Sequence, residues 1–254
     1  EITALVGCLV GAMVAGAAAD RYGRKPLLMT AAVLFTVSAI ATGLFNDFTL
    51  FNIARFIGGV GIGVASAMSP MYIAEVSPAE IRGRMVSLNQ MTIVLGILAA
   101  QFSNLVLAKD TSVAELQLWN VEWGWRWMFW AETVPAALFL LMSFFIPESP
   151  VYLRLKNEKT KELRNEQPGL SELFQHKYGK VLLLGLVIAV FQQWCGTNVI
   201  FNYAQEIFTG AGYDVDGMFI DIVITGIANV VFTFVALYTI EKWGRRTLIL
   251  MGAC

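Results

Sequence analysis

Gln192-Gln193-Trp194-Cys195-Gly196-Thr197-Asn198 sets four strongly polar side chains inside a segment otherwise apolar enough to cross a membrane. From Val181 to Gln205 there is no formal charge over 25 residues, more than the roughly 20 that a helix needs to span the hydrocarbon core. Yet Gln192, Gln193, Thr197, Asn198, Asn202 and Gln205 all fall in its second half. On a straight helix Gln192 and Asn198 would point about 120° apart, so no single packing face could hold both. Gly196 beside β-branched Thr197 is where such a helix can break, and irregular backbone at membrane depth is tolerated only where protein or water satisfies it. The segment therefore reads as a broken helix lining a polar cavity, a construction used for substrate sites in secondary transporters.

The rest of the chain supports a membrane setting. Its 254 residues are 57% hydrophobic and 15% charged, with a mean hydropathy of +0.62, which is not the composition of a soluble domain. A net charge of −1 and the lack of a basic run give no reason to expect nucleic acid as a partner. Cys8 and Cys195 lie in apolar spans and Cys254 is the last residue, so neither a disulfide framework nor a metal site is expected. Glu1 is not a Met, and Cys254 falls eight residues into a new apolar run, so the chain is expected to be an internal fragment.

Seven spans are expected, making an all-α, polytopic helical bundle. The first, Ile2 to Ala19, carries Gly7, Gly11 and Ala15 at four-residue spacing, which lets two membrane helices approach closely. A basic turn from Asp20 to Pro26 leads to the second span, Leu27 to about Phe45, and Asn46-Asp47 mark the turn into the third, Phe48 to Ala74. The third contains Arg55 and the run Gly58-Gly59-Val60-Gly61-Ile62-Gly63. No strand precedes that run, so it reads as close helix packing and not as a dinucleotide loop. The fourth span, Met85 to Ala108, places Gln90, Val94, Ile97, Gln101 and Asn104 within about 80° of one another, an inward polar stripe. A Trp-rich link from Lys109 to Arg126 suits a membrane interface. The fifth span, Trp127 to Ile146, holds Glu132, and Pro147-Glu148-Ser149-Pro150 closes it before a charged segment that runs to Lys180. The broken span, Val181 to about Phe208, is the sixth, and Ile222 to Ile240 is the seventh.

Of the 18 Lys and Arg residues, 15 fall in the turns at 20–26, 77–84, 147–180 and 241–246. By the positive-inside rule those turns are cytoplasmic, which starts Glu1 on the outer side and implies an odd number of helices before it. Asp20 to Lys25 and Glu241 to Arg246 share a pattern of acid, basic or aromatic residues, Gly and two bases, 221 residues apart. An internal repeat of that size marks a carrier built from two related halves.

Those two turns, Arg55 with its glycines, Pro70 to Glu75 followed by Arg82-Gly83-Arg84, Pro147 to Pro150, and the paired glutamines occur in one order. Together they resemble the sugar porter family of the major facilitator superfamily, across nearly the whole chain. The resemblance implies the major facilitator fold, with these seven spans as helices two to eight of twelve. Residues 1–146 would be most of the N-terminal half, 147–180 a cytoplasmic linker with a short helix, and 181–254 the start of the C-terminal half. The implied function is alternating-access transport of a monosaccharide, hexose or pentose, coupled to protons, in the plasma or bacterial inner membrane. A facilitative carrier, a polyol or inositol transporter, and a sugar sensor that does not transport are the alternatives. No enzyme activity and no cofactor are expected, and the protein is expected to act as a monomer in the lipid bilayer.

The resemblance further implies that Gln90, Gln192, Gln193, Asn198 and Asn229 hydrogen-bond sugar hydroxyls, a role suited to amides because each both donates and accepts. Ile97 stands where some pentose carriers have glutamine, which leans toward hexose, and Asn202 stands where the family usually has Tyr. Trp194 is open to either packing or sugar stacking. Arg55, costly at a helix centre unless paired or solvated, corresponds to an arginine that faces an acid in proton-coupled members. Glu132 either supports that coupling or reaches interfacial water. Arg21, Arg24, Glu75, Arg82, Arg84, Glu148, Glu241 and Arg245 are the candidates for cytoplasmic ion pairs that hold one side shut while the site faces out. Asp221 reads as a helix start and His176 as a solvated side chain.

Overall fold

The computed structural model describes residues 2–107, 119–161, 183–187, 189–191, 194, 203, 210, 215–244, 247 and 250. Among these, every regular element is helical: α1 (Ile2–Tyr22), α2 (Arg24–Leu44), α3 (Phe48–Val76), α4 (Arg82–Leu107), a π-helical turn (Asn120–Gly124), α5 (Trp125–Ala131), α6 (Thr133–Phe145), α7 (Pro150–Lys161) and α8 (Val215–Trp243). Among the described residues six stretches are long and apolar enough to cross a membrane, five of them lying in α1 to α4 and α8 and the sixth being Glu122–Phe145. The expected span from Val181 to Phe208 lies largely outside the described residues. The chain divides into two compact units, Glu1–Lys156 with Val223–Cys254, and Asn157–Ile222.

Small residues decide how the first three helices pack. A Cβ on Gly63 of α3 would collide with the carbonyl of Cys8 and stand 2.6 Å from the amide nitrogen of Ala12, while one on Gly59 would collide with the carbonyl of Ala4. Reciprocally, Gly7 and Gly11 of α1 are pressed on the carbonyls of Phe56 and Val60. Gly58 and Gly61 turn instead to α2, against Ser38 and Leu34, and Ser38 Oγ donates to the carbonyl of Ala54 at 2.8 Å. The glycine run thus serves two neighbours at once. In lipid, where apolar side chains gain little by leaving the solvent, backbone approach of this kind supplies the van der Waals contact that holds helices together. Below it, Ala15, Ala19, Leu28, Ala31, Val64 and Met68 form the buried cluster between α1, α2 and α3.

Turn chemistry explains the starts of α2 and α3. Asp47 caps α3 by accepting from the amide of Thr49 at 2.8 Å, the N-cap role for which Asp is suited. Gly23 precedes α2 with φ +100°, a backbone conformation that favours glycine. The fifth span departs from the expected Trp127–Ile146 element in two ways. Its helical chain begins earlier, in the π-helical turn, and it is interrupted at Glu132, between α5 and α6. Pro135 has no N–H to offer the carbonyl of Ala131; the ladder tightens there, with the Glu132 amide bonding to the carbonyl of Phe129 at 3.1 Å. Asp221 lies inside α8, beyond its first turn.

Candidate functional site

At the end of the bundle that carries the basic turns, α1, α2, α3 and the segment before α7 meet on one arginine. Arg24 is only 3% exposed. Its Nε donates to both oxygens of Glu75, at 3.2 and 3.1 Å, and its Nη2 donates to Oε1 at 2.9 Å. Nη1 donates to the carbonyl of Ala19 at 3.0 Å and lies 3.6 Å from Asp20 Oδ1. The planar fork of arginine fits this two-oxygen grip in a way lysine would not.

Glu148 adds a cap from another part of the chain. Its Oε1 accepts from the backbone amides of Arg24 and Lys25 at 2.9 and 3.2 Å, so a distant carboxylate satisfies the free donors at the start of α2 and meets the positive end of its dipole. A Cβ on Gly23 would stand 2.7 Å from Glu148 Oε2, which gives that glycine a second reason besides its φ. Ser149 Oγ donates to Glu75 Oε2, Tyr152 Oη donates to the carbonyl of Arg21 at 3.3 Å, and the Tyr152 ring lies 5.4 Å from the Arg24 guanidinium. Lys25 Nζ reaches the carbonyl of Phe144 at 2.9 Å.

Of the eight residues expected to form ion pairs, the structure thus joins Arg24 to Glu75 and brings Glu148 to the same helix start. Arg21 lies 5.4 Å from the Tyr22 ring, and Arg82 and Arg84 are exposed at the start of α4. Glu241 lies in the last turn of α8, with its side chain outside the description, and Arg245 lies outside the described residues. Sequence reasoning passed over Ser149 and Tyr152, although both belong to or follow the quoted Pro147–Pro150 motif. Their roles follow from the chain reversal after α6, which no local pattern encodes.

Nearer the opposite end, Arg55 and Glu132 come together from α3 and the α5–α6 break, with Arg55 Nη1 4.0 Å from Glu132 Oε2. Arg55 is 34% exposed and Glu132 55%, so the pair is loose and its strength modest. The guanidinium also rests 4.6 Å from the centre of the Phe129 ring, a cation–π contact. Both side chains line a cavity of about 310 Å³ walled by Ala4, Ser38, Gly58 and Gly59 among others.

The amides are less fully placed. On α4, Val94 is buried and Gln101 half-buried, whereas Gln90 and Ile97 are exposed. Asn229 is half-buried on α8, its carbonyl accepting from Thr233 Oγ1 at 2.7 Å. Gln192, Gln193 and Asn198 lie outside the described residues, as does Asn202, while Trp194 is exposed. Among the described residues no cluster of His, Cys, Asp and Glu could hold a metal ion.

The sequence and the helical arrangement both have known counterparts. The model of the "Sugar (and other) transporter" family matches residues 2–254. The chain belongs to this sugar transporter family. It is 38% identical to an arabinose-proton symporter of Bacillus subtilis over 98% of its own length and 58% of that relative. It is 35% identical to the D-xylose-proton symporter of Escherichia coli K12, over 99% of its length and 58% of the relative. Among solved structures, the E. coli xylose transporter in a partially occluded, inward-open conformation superposes with a TM-score of 0.76 at 33% identity, covering 97% of this chain and 62% of that one. The sugar transporter chain therefore has the major facilitator fold and is a multi-pass membrane protein. It spans a little under 60% of the length of the curated relatives it matches.

Proposed function

We propose that this chain forms part of a carrier that moves a monosaccharide across the membrane by alternating access, coupled to protons. The observation that carries the coupling is the meeting of Arg55 and Glu132 in one cavity, since a titratable carboxylate beside a fixed cation on separate helices can trade its proton for the ion pair. The names of the relatives support the sugar class: some are arabinose-, xylose- and galactose-proton symporters, and others are named as glucose transporters without mention of a proton. Residues 1–146 supply most of the N-terminal half, 147–180 the linker and 181–254 the start of the C-terminal half. Gln90, Gln192, Gln193, Asn198 and Asn229 bond sugar hydroxyls, and Ile97 forms an apolar part of the wall. Arg24, Glu75 and Glu148 hold the basic end shut while the site faces the other way.

Uptake of labelled glucose and xylose tests this reading, in cells that express the protein and lack carriers of their own, with and without a protonophore. Accumulation above the external level that collapses with protonophore is the expected result. Equilibration indifferent to protonophore makes the protein a facilitator. In a symporter, Glu132→Gln abolishes accumulation and leaves exchange of sugar across the membrane. Concentrative uptake by that variant assigns Glu132 to structure alone.

A further inference from the structure

Gln101 lies three turns beyond Gln90 on α4 and within about 20° of it around the helix. Its carboxamide oxygen is buried and has no hydrogen-bond partner among the described residues. That oxygen is seated against Gly226 of α8. A Cβ on Gly226 would collide with Gln101 Oε1 and stand 3.0 Å from Leu98 Cδ1. Gly226 is buried, while Ile227 and Ala228 beside it are exposed, so the glycine makes the notch that the amide enters. What the oxygen finds there is a Cα–H, a weak donor at best.

A contact that was always closed would be better served by an apolar side chain of similar shape, because an unpaired buried acceptor is unfavourable and an apolar replacement is not. The amide makes physical sense if the contact also opens. Asn229 lies three residues further along α8, about 60° around from Gly226, and Ile97 lies one turn before Gln101 on α4. The notch therefore stands at the end of the Ile97–Asn229 level that is remote from the basic turns. We propose that the Gln101 carboxamide on Gly226 is a closure between α4 and α8 at that end of the site. On opening, the same carboxamide becomes a hydrogen-bond partner for a hydroxyl of the entering solute. The second half rests on the sugar-carrier reading; the first does not.

Two measurements separate them. In the full protein with every cysteine replaced by Ser, Cys8, Cys195 and Cys254 among them, Asn104→Cys, one turn beyond Gln101, is labelled with a membrane-impermeant maleimide. Adding Gly226→Ala blocks the seat and raises the labelling rate about tenfold; adding Gln101→Leu, which fills the notch without an unpaired oxygen, lowers it severalfold. If neither change moves the rate more than twofold, the closure is refuted, and Gln101→Leu keeps that test valid even where Gly226→Ala fails to fold. Binding of xylose and glucose by the Gln101→Leu protein is the second measurement, and about tenfold weaker affinity is expected. Affinity within twofold of the parent, or a parent that binds neither sugar, refutes the solute contact while a labelling response still upholds the closure.

Discussion

Replacing Glu75 with Gln removes one charge from the cluster at the basic end and little else. Arg24, 3% exposed, would keep its bond to the carbonyl of Ala19 and lose the carboxylate that takes both Nε and Nη2. Removing one partner of a buried pair costs about 3–5 kcal/mol, mostly because the other charge stays buried. Asp20, 3.6 Å from Nη1 but 70% exposed, returns about 1 kcal/mol. The net loss of roughly 2–4 kcal/mol shifts the equilibrium for parting these helix ends by roughly 30- to 700-fold. The backbone amides of Arg24 and Lys25 report the change, since Glu148 Oε1 holds them at 2.9 and 3.2 Å only while the ends are together. Hydrogen–deuterium exchange of those amides in lipid nanodiscs should speed up by that factor in Glu75→Gln. The double change Arg24→Met with Glu75→Leu should restore most of the protection, because no charge is then stranded. Exchange in Glu75→Gln within threefold of the native protein would show that the pair does not hold the helix ends, and the reasoning would fall.

Glycine to alanine should have opposite signs at two sites on neighbouring helices, Gly63 of α3 and Gly16 of α1. Gly63→Ala drives a methyl into the α1 backbone at Cys8 and Ala12 and should destabilise by about 1–3 kcal/mol. Gly16→Ala meets nothing within 4 Å among the described residues and should stabilise by about 0.5–1 kcal/mol through helix propensity alone. Thermal unfolding in one detergent compares them, and shifts of the same sign would contradict the α1–α3 packing. Gln193→Ala should lower sugar affinity at least about tenfold, the loss of one or more hydrogen bonds, with unchanged yield of folded protein. Titration calorimetry checks this, and native-like affinity would remove Gln193 from the site.

Much of the fold was legible because a bilayer imposes one rule on every span: enough consecutive apolar residues, with backbone groups satisfied inside the helix. The glycines of α1 and α3 could be assigned to close packing from the sequence alone, and the four-residue interval of Gly7, Gly11 and Ala15 leaves those three on one face of α1 whatever the neighbour. The break at Glu132 was not read, although Pro135 was in view, because a proline inside an apolar run marks a weakened ladder without fixing how the chain relieves it. The division of the glycine run between α1 and α2 was equally hidden, since it depends on which helices flank α3.

By itself the sequence determined the membrane setting, the all-helical class and the family, because hydropathy and ordered motifs are properties of the chain in one dimension. It also singled out Arg24, Glu75 and Glu148 as candidates for ion pairs, and left Arg55 and Glu132 open between a charged partner and water. Which charge meets which was decided only by tertiary structure. Arg24 and Glu75 are 51 residues apart in the chain, and Glu148 caps α2 from 124 residues away. Ion pairing and capping depend on distances of a few ångströms between helix ends, and those distances follow from how closely glycines and alanines let the helices approach.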